Sequence, residues 1–202
     1  MRAGSSLFGD LLPLAERYER WLAGPGTERG LLGPREVPRL WDRHILNSAV
    51  VAALLSPGEH VVDVGSGAGL PGIPLALAAP TCRIVLLEPL ARRAAFLTEV
   101  VADLDLGERV SVVRARAEDA VRERTRYDVA VARAVAPLDR LAGWCLPLLR
   151  QGGRLLALKG ERAEAEVAAA PALRARVERV GHGLVDPPTT VVTIERRRKE
   201  AR

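Results

Sequence analysis

The segment VVDVGSGAGLPGIPLA, residues 61–76, constrains the fold more than any other stretch of the chain. An apolar, β-branched strand runs directly into a glycine-rich turn and then into a helix. That succession opens a doubly wound α/β domain, in which ligands bind outside the carboxyl ends of the strands. Gly65 and Gly67 can take backbone angles closed to bulkier residues, and the missing Cβ lets a ligand approach the main chain. A dinucleotide site needs G-x-G-x-x-G, with the third glycine at position 70, where this chain carries Leu70. Counted from Gly65 the spacing is G-x-G-x-G, ending at Gly69. Without a ligand, the same loop would be a tight turn only.

The rest of the chain alternates around that unit. Apolar residues recur at helical spacing over 7–22, and GPG at 24–26 is expected to stop the helix. A loop over 27–38 leads to a second helix over 38–55, with Pro38 in its first turn. Strands are expected at 60–64, 82–87, 110–113, 127–132, 153–158, 176–184 and 189–195. Helices are expected at 73–79, 91–104, 117–122, 138–149 and 161–170. The pattern predicts a mostly parallel seven-stranded sheet with helices on both faces. Pro187 and Pro188 suit a hairpin-like end in which the last strand runs antiparallel. Residues 1–57 form an N-terminal helical extension and 58–202 the core, together one compact unit.

Several polar residues fall at the ends of these strands. Glu88 ends the second strand in LLEP, where a carboxylate can accept hydrogen bonds from both ribose hydroxyls of a nucleoside. Asp63 lies inside the first strand and is costly to bury unpaired. It either accepts amide hydrogens of the loop and helix or reaches a cationic amino group of a cofactor. After the third strand, Ala117 and Glu118 in RARAED suit an adenine edge, although acids in a first helical turn also explain Glu118. Arg133, between Ala132 and Ala134 at the end of the fourth strand, is a candidate for cofactor or substrate contact. Lys159 ends the fifth strand and could meet a phosphate.

The absences matter as well. The sequence offers no strand-end cysteine nucleophile, no NPPY-like or DPPY-like amine-binding motif at the fourth strand, and no cysteine–histidine cluster for a metal. DPPT at 186–189 falls at a late turn instead. Such a set suits a transfer that needs little acid or base help. Ring nitrogen N7 of guanine is an acceptor of that kind, because its lone pair attacks without a proton having to leave.

Composition adds little to this. The formal charge is +5, but 28 of the 30 basic residues are Arg, and Ala, Gly and Pro are also abundant, as a coding bias alone would produce. Apolar stretches break before a membrane-spanning length, and the amino terminus does not read as a secretory signal. Cys82 and Cys145 read as two reduced, buried thiols, which favours the cytoplasm.

The G-x-G-x-G loop resembles that of enzymes using S-adenosylmethionine, in which it wraps the methionine part of the cofactor. The longer blocks resemble one family, the bacterial small-subunit rRNA guanine-N7 methyltransferases, historically called glucose-inhibited division protein B. They are LWDRHILNS at 40–48, DVGSGAGLPGIPLA at 63–76, LLEPLARRAAFL at 86–97, RARAED at 114–119, ARAVAPLDRL at 132–141 and GGRLLALKG at 152–160. The resemblance implies a Rossmann-like class I fold and a cytoplasmic, monomeric enzyme that binds no membrane. It further implies methyl transfer from S-adenosylmethionine to N7 of one guanine, position 527 of 16S rRNA. Its partner would be 16S rRNA within the small ribosomal subunit or an assembly intermediate.

By the family pattern, Asp63, Gly65, Ser66, Gly67, Gly69, Leu70, Glu88, Ala117, Glu118 and Arg133 would bind cofactor, and Arg133, His44 and Lys159 would serve catalysis. Arg43, Arg92, Arg93, Lys159, Arg197, Arg198 and Lys199 would meet RNA. His44 is as easily a core histidine, and residues 196–199 a solvated charge run. Asn47 stands where the family usually has Asp, and Ala132 where it often has Ser. A methyltransferase for another RNA, a protein or a small molecule, and a non-catalytic ribosome-associated protein, remain open on the residues alone.

Overall fold

In a computed structural model, residues 2–123, 125–133 and 136–197 are described. Seven strands form one sheet: β1 (His60–Val64), β2 (Arg83–Leu87), β3 (Val110–Val113), β4 (Tyr127–Arg133), β5 (Leu149–Lys159), β6 (Arg176–Val180) and β7 (Thr189–Glu195), in the order β3-β2-β1-β4-β5-β7-β6. Only β7 is antiparallel to its neighbours. The doubly wound core and the antiparallel final strand agree with the sequence pattern.

Period-two alternation divides the sheet into two faces. Val61, Ile84, Leu86, Val129, Val131, Leu156 and Leu158 belong to one core cluster. Val62, Val64, Val85, Leu87, Ala130, Ala132, Leu155 and Ala157 belong to the other. The first face is covered by α1 (Arg2–Phe8), α2 (Leu12–Trp21), α3 (Asn47–Ala49), α4 (Gly72–Ala78) and α5 (Ala91–Asp103). The second receives α6 (Ala117–Ala120), α7 (Leu138–Cys145) and α8 (Ala163–Ala169). Helices on both faces explain why most strands are apolar on both sides.

The N-terminal region departs from the single helix expected over 7–22. Helix starts at Arg2, breaks into a 3₁₀ turn at Gly9–Leu11, where Gly9 has φ +50°, and resumes as α2. GPG does not stop it. A π-helical turn carries on through Leu22–Gly26, and the N–H of Thr27 donates to the Leu22 carbonyl five residues back. That one-residue slip absorbs the amide hydrogen Pro25 lacks. The expected 27–38 loop contains a 3₁₀ helix, Pro34–Arg39, and the second helix changes pitch from π (Leu40–Leu46) through α3 to 3₁₀ (Val50–Leu54).

Two strand ends also differ. β5 begins at Leu149, four residues before the expected start, and Gly152 and Gly153 lie within it beside a register shift against β4. A side chain at Gly153 would meet the Asp128 carbonyl at 2.8 Å, so the irregularity rests on close backbone approach. β6 stops at Val180, because Gly181, at φ +81°, turns the chain and its carbonyl accepts the N–H groups of Leu184 and Val185.

Candidate active site

β1 and β2 end side by side, Val64 opposite Leu87. The chain leaving β1 folds back at once. The N–H groups of Gly65 and Ser66 donate to the Leu87 carbonyl at 2.8 and 3.2 Å, which ties the loop to the neighbouring strand. Gly65 and Gly67 have φ of +74° and +59°, a region that side chains with a Cβ rarely adopt. The Ser66 hydroxyl donates to the Asp63 carbonyl at 2.9 Å, and Leu70 closes the turn through its N–H to the Ser66 carbonyl.

Two buried carboxylates clasp this loop. Glu88 accepts the Gly67 N–H at 2.9 Å on one oxygen and the Leu90 N–H at 3.0 Å on the other. Each oxygen keeps a second lone pair for a hydroxyl donor. Asp63 follows Val61 in the pleat and therefore points to the α4 face, where one oxygen accepts the Gly72 N–H at 3.0 Å. A Cβ at Gly72 would sit 2.7 Å from that same oxygen and 2.3 Å from Leu86, so only glycine permits the contact. The other Asp63 oxygen is buried without a hydrogen-bond partner among the described residues. Burial raises its pKa to about 7, against the opposing pull of the Gly72 N–H and the Arg133 charge.

An unpaired buried carboxylate oxygen beneath a glycine loop matches a ligand that brings a cationic amino group, and Glu88 matches the diol of a ribose. These residues fit S-adenosylmethionine. Ala117 opens α6 and is buried, while Glu118 beside it is exposed.

The N-terminal elements complete the rim. Tyr18 of α2 is fully buried and its hydroxyl donates to the Ala68 carbonyl inside the loop, at 2.8 Å. Burial raises the phenol well above its ordinary range. Arg133 has the same pleat parity as Val129 and Val131, which sends it toward the N-terminal helices. There one guanidinium nitrogen donates to His44 Nδ1, and the other lies 3.5 Å from the His44 carbonyl and 3.4 Å from the Ser48 hydroxyl. On its far side, His44 Nε2 meets Glu36 at 2.7 Å. Burial lowers the His44 pKa, and the neighbouring Arg133 charge lowers it further.

Lys159 does not join that group. It shares the parity of Leu155 and Ala157, so it points to the opposite face, where its ammonium binds Glu166 at 2.8 Å and the Ala136 carbonyl at 2.7 Å. Its side chain is 8% exposed. Glu166 also accepts the Leu138 N–H, so the lysine braces the start of α7.

Arg43 is exposed and lies 3.9 Å from Glu36. Arg92 and Arg93 stand at the start of α5, close after Glu88, exposed and half-buried respectively. Arg197 follows β7, and its neighbour Arg196 exchanges backbone hydrogen bonds with Gly152 and Gly153 in the first half of β5, so it lies at the end of the sheet away from the glycine loop. Arg198 and Lys199 lie outside the described residues. Asn47 accepts a hydrogen bond from the Thr189 hydroxyl, and Ala132 is fully buried on the α7 face.

Tyr18, Glu36 and Ser48 are part of this arrangement, and sequence reasoning passed over their polar atoms. Tyr18 carried the only signal, as a hydroxyl-bearing member of an apolar helical stripe.

The family described as GidB, rRNA small subunit methyltransferase G, matches the chain over residues 12–180. A protein of Mycobacterium marinum named ribosomal RNA small subunit methyltransferase G is 56% identical, the alignment covering 96% of this chain and 88% of that protein. Its namesake in Thermobifida fusca is also 56% identical, over 95% of this chain and 83% of that one. Among solved structures, an O-methyltransferase family protein from Burkholderia thailandensis has TM-score 0.60 at 15% identity, covering 90% of this chain and 63% of that one. An S-adenosylmethionine-dependent O-methyltransferase from Thermotoga maritima has TM-score 0.58 at 18% identity, covering 83% and 72%. At such identities the solved structures speak to the fold alone.

Proposed function

The chain belongs to the GidB family, rRNA small subunit methyltransferase G, and from that premise we propose that it methylates N7 of one guanine, position 527 of 16S rRNA, using S-adenosylmethionine. The observation that carries the reading is the glycine loop clasped between Asp63 and Glu88 at the carboxyl ends of β1 and β2. Asp63 and the loop would hold the methionine part of the cofactor and Glu88 its ribose. Ala117, with Glu118 beside it, would border the adenine.

The bound cofactor supplies an electrophilic methyl group on a sulfonium. Guanine N7 presents its own lone pair and loses no proton, so no general base is required. What the protein contributes is alignment of the two reactants, exclusion of water and a fixed electrostatic field. Positive charge passes to the guanine ring during transfer, and a bare cation beside that ring would oppose the reaction. Arg133 would therefore act as a donor to acceptor oxygens of cofactor or substrate, and burial lowers its pKa from the ordinary guanidinium range. Lys159, held by Glu166, acts through the 136–138 segment and not on a phosphate. Arg43, Arg92 and Arg93 would meet rRNA in the small subunit. The setting is the cytoplasm, with the chain acting as a monomer.

The test is transfer of labelled methyl to small ribosomal subunits lacking the modification, followed by nuclease digestion and mass mapping. Label at a single guanine as 7-methylguanosine is the expected result. No label, with the cofactor still bound, would overturn the assigned substrate.

A further inference from the structure

Arg133, His44 and Glu36 form a continuous polar chain from the cofactor end of β4 to the partly exposed turn Pro34–Arg39. Its hydrogens can be assigned from the chemistry of its first member. A guanidinium has five donors and no acceptor, so the His44 Nδ1 that it contacts must present a lone pair. The imidazole is then neutral, and its one hydrogen sits on Nε2, directed at Glu36 2.7 Å away. The ring is buried, with 8% of its side chain exposed, and Glu36 is the acceptor recorded for that hydrogen among the described residues.

We propose that Glu36 is a positioning residue: by accepting the Nε2 hydrogen it fixes the His44 tautomer, and so fixes the orientation of the Arg133 guanidinium at the methyl-transfer site. Without that acceptor the hydrogen can move to Nδ1. Two donors would then face each other between His44 and Arg133, and the guanidinium would turn away. The remaining Arg133 partners, the His44 carbonyl at 3.5 Å and the Ser48 hydroxyl at 3.4 Å, are long contacts that cannot hold it alone. The hydrogen bond with His44 itself lowers the Glu36 pKa, and the exposed Arg43, 3.9 Å from Glu36, lowers it further. An outer carboxylate that orients a histidine for its working partner is a recurrent arrangement, and its loss leaves the inner groups present but misaligned.

Because the role assigned to Glu36 rests on Arg133 belonging to the methyl-transfer site, two independent readouts are needed. The chain has three histidines, so nitrogen-15 spectra of the cofactor-free protein can resolve the His44 ring. The wild type should show the Nε2–H tautomer and Glu36→Ala a mixture. Glu36→Gln, whose amide oxygen can still accept, should restore the wild-type spectrum. In methyl transfer to small subunits, Glu36→Ala should lower kcat by about 10- to 100-fold, with KM for S-adenosylmethionine within about twofold, while Glu36→Gln regains most of the rate. A wild-type ring protonated on Nδ1, a tautomer unchanged in Glu36→Ala, a full kcat in Glu36→Ala, or equal losses in the two variants would each overturn the assignment. If the wild type transfers no methyl to small subunits, the proposed substrate falls, and the assignment of Glu36 is kept or lost on the spectra alone.

Discussion

One oxygen of Asp63 is buried without a partner among the described residues, and the carboxyl titrates near 7, where an ordinary aspartate is fully ionised. The sign of the consequence follows from linkage. Between the ordinary carboxylate range and about 7 the folded protein retains a proton that the unfolded chain has released. The contribution of this group to stability is therefore complete at low pH and is lost as pH rises through about 7. A cationic amino group placed beside the unpaired oxygen would favour the carboxylate and drive the proton out. Cofactor binding at pH about 6.5 should thus release protons, measured by calorimetry in two buffers of different ionisation heat. Asp63→Asn should abolish the buffer dependence. Binding heats that are identical in both buffers for the wild type would remove Asp63 from contact with the amino group.

At the scale of elements, α2 is as much a wall of the site as any strand end. Trp21 packs edge-on against Phe96 of α5, with ring centroids 5.7 Å apart, and its indole N–H donates to Asp103 at 2.8 Å. This docking delivers the Tyr18 hydroxyl to the Ala68 carbonyl in the middle of the glycine loop. Tyr18→Phe keeps the buried ring and removes only the donor, leaving a buried carbonyl unsatisfied, which costs about 1–2 kcal/mol. The melting temperature should fall by roughly 2–8 °C for a chain of this length. Cofactor affinity should fall with it, because the loop that loses its tether is the loop that holds the ligand. A lowered melting temperature with unchanged affinity, compared by thermal scan and calorimetry, would reduce α2 to a scaffold. Strand parity is the other rule at this scale. Arg133 and Lys159 both end central strands, yet the pleat sends the first to His44 and the second to Glu166 on the opposite face.

For the whole molecule, the net charge of +5 matters only through where the free cations lie. Several arginines are committed to the fold: Arg154 to Glu59, Arg29 to Glu99 and Arg176 to Glu195. Arg92 and Arg93 carry no side-chain partner among the described residues and flank the cofactor end of the sheet. If these two arginines neutralise two phosphates, KM for the small subunit should rise roughly 7- to 12-fold between about 50 and 200 mM salt. Affinity for S-adenosylmethionine should hardly move. A subunit KM as insensitive to salt as the cofactor affinity would mean that phosphate contact contributes little.

The order of strands and helices, the glycine loop and the acid closing the second strand were legible in the sequence, because each depends on local periodicity or on a backbone angle that few residues tolerate. Asp63 was legible as an anomaly, an acid inside an apolar strand, and an amide hydrogen of the loop or helix was legible as its partner, but not that the amide is that of Gly72. The helical path through GPG was misread, since a π-helical slip satisfies the backbone in a way that composition does not reveal. Tertiary structure alone decided that Lys159 braces α7, that Arg197 follows the antiparallel β7 to the far end of the sheet, and that Glu36, His44 and Arg133 form one chain. Those outcomes depend on which side chains meet across 7 to 89 residues of sequence. Contacts over such separations are set by the packing of whole elements, which local pattern does not encode.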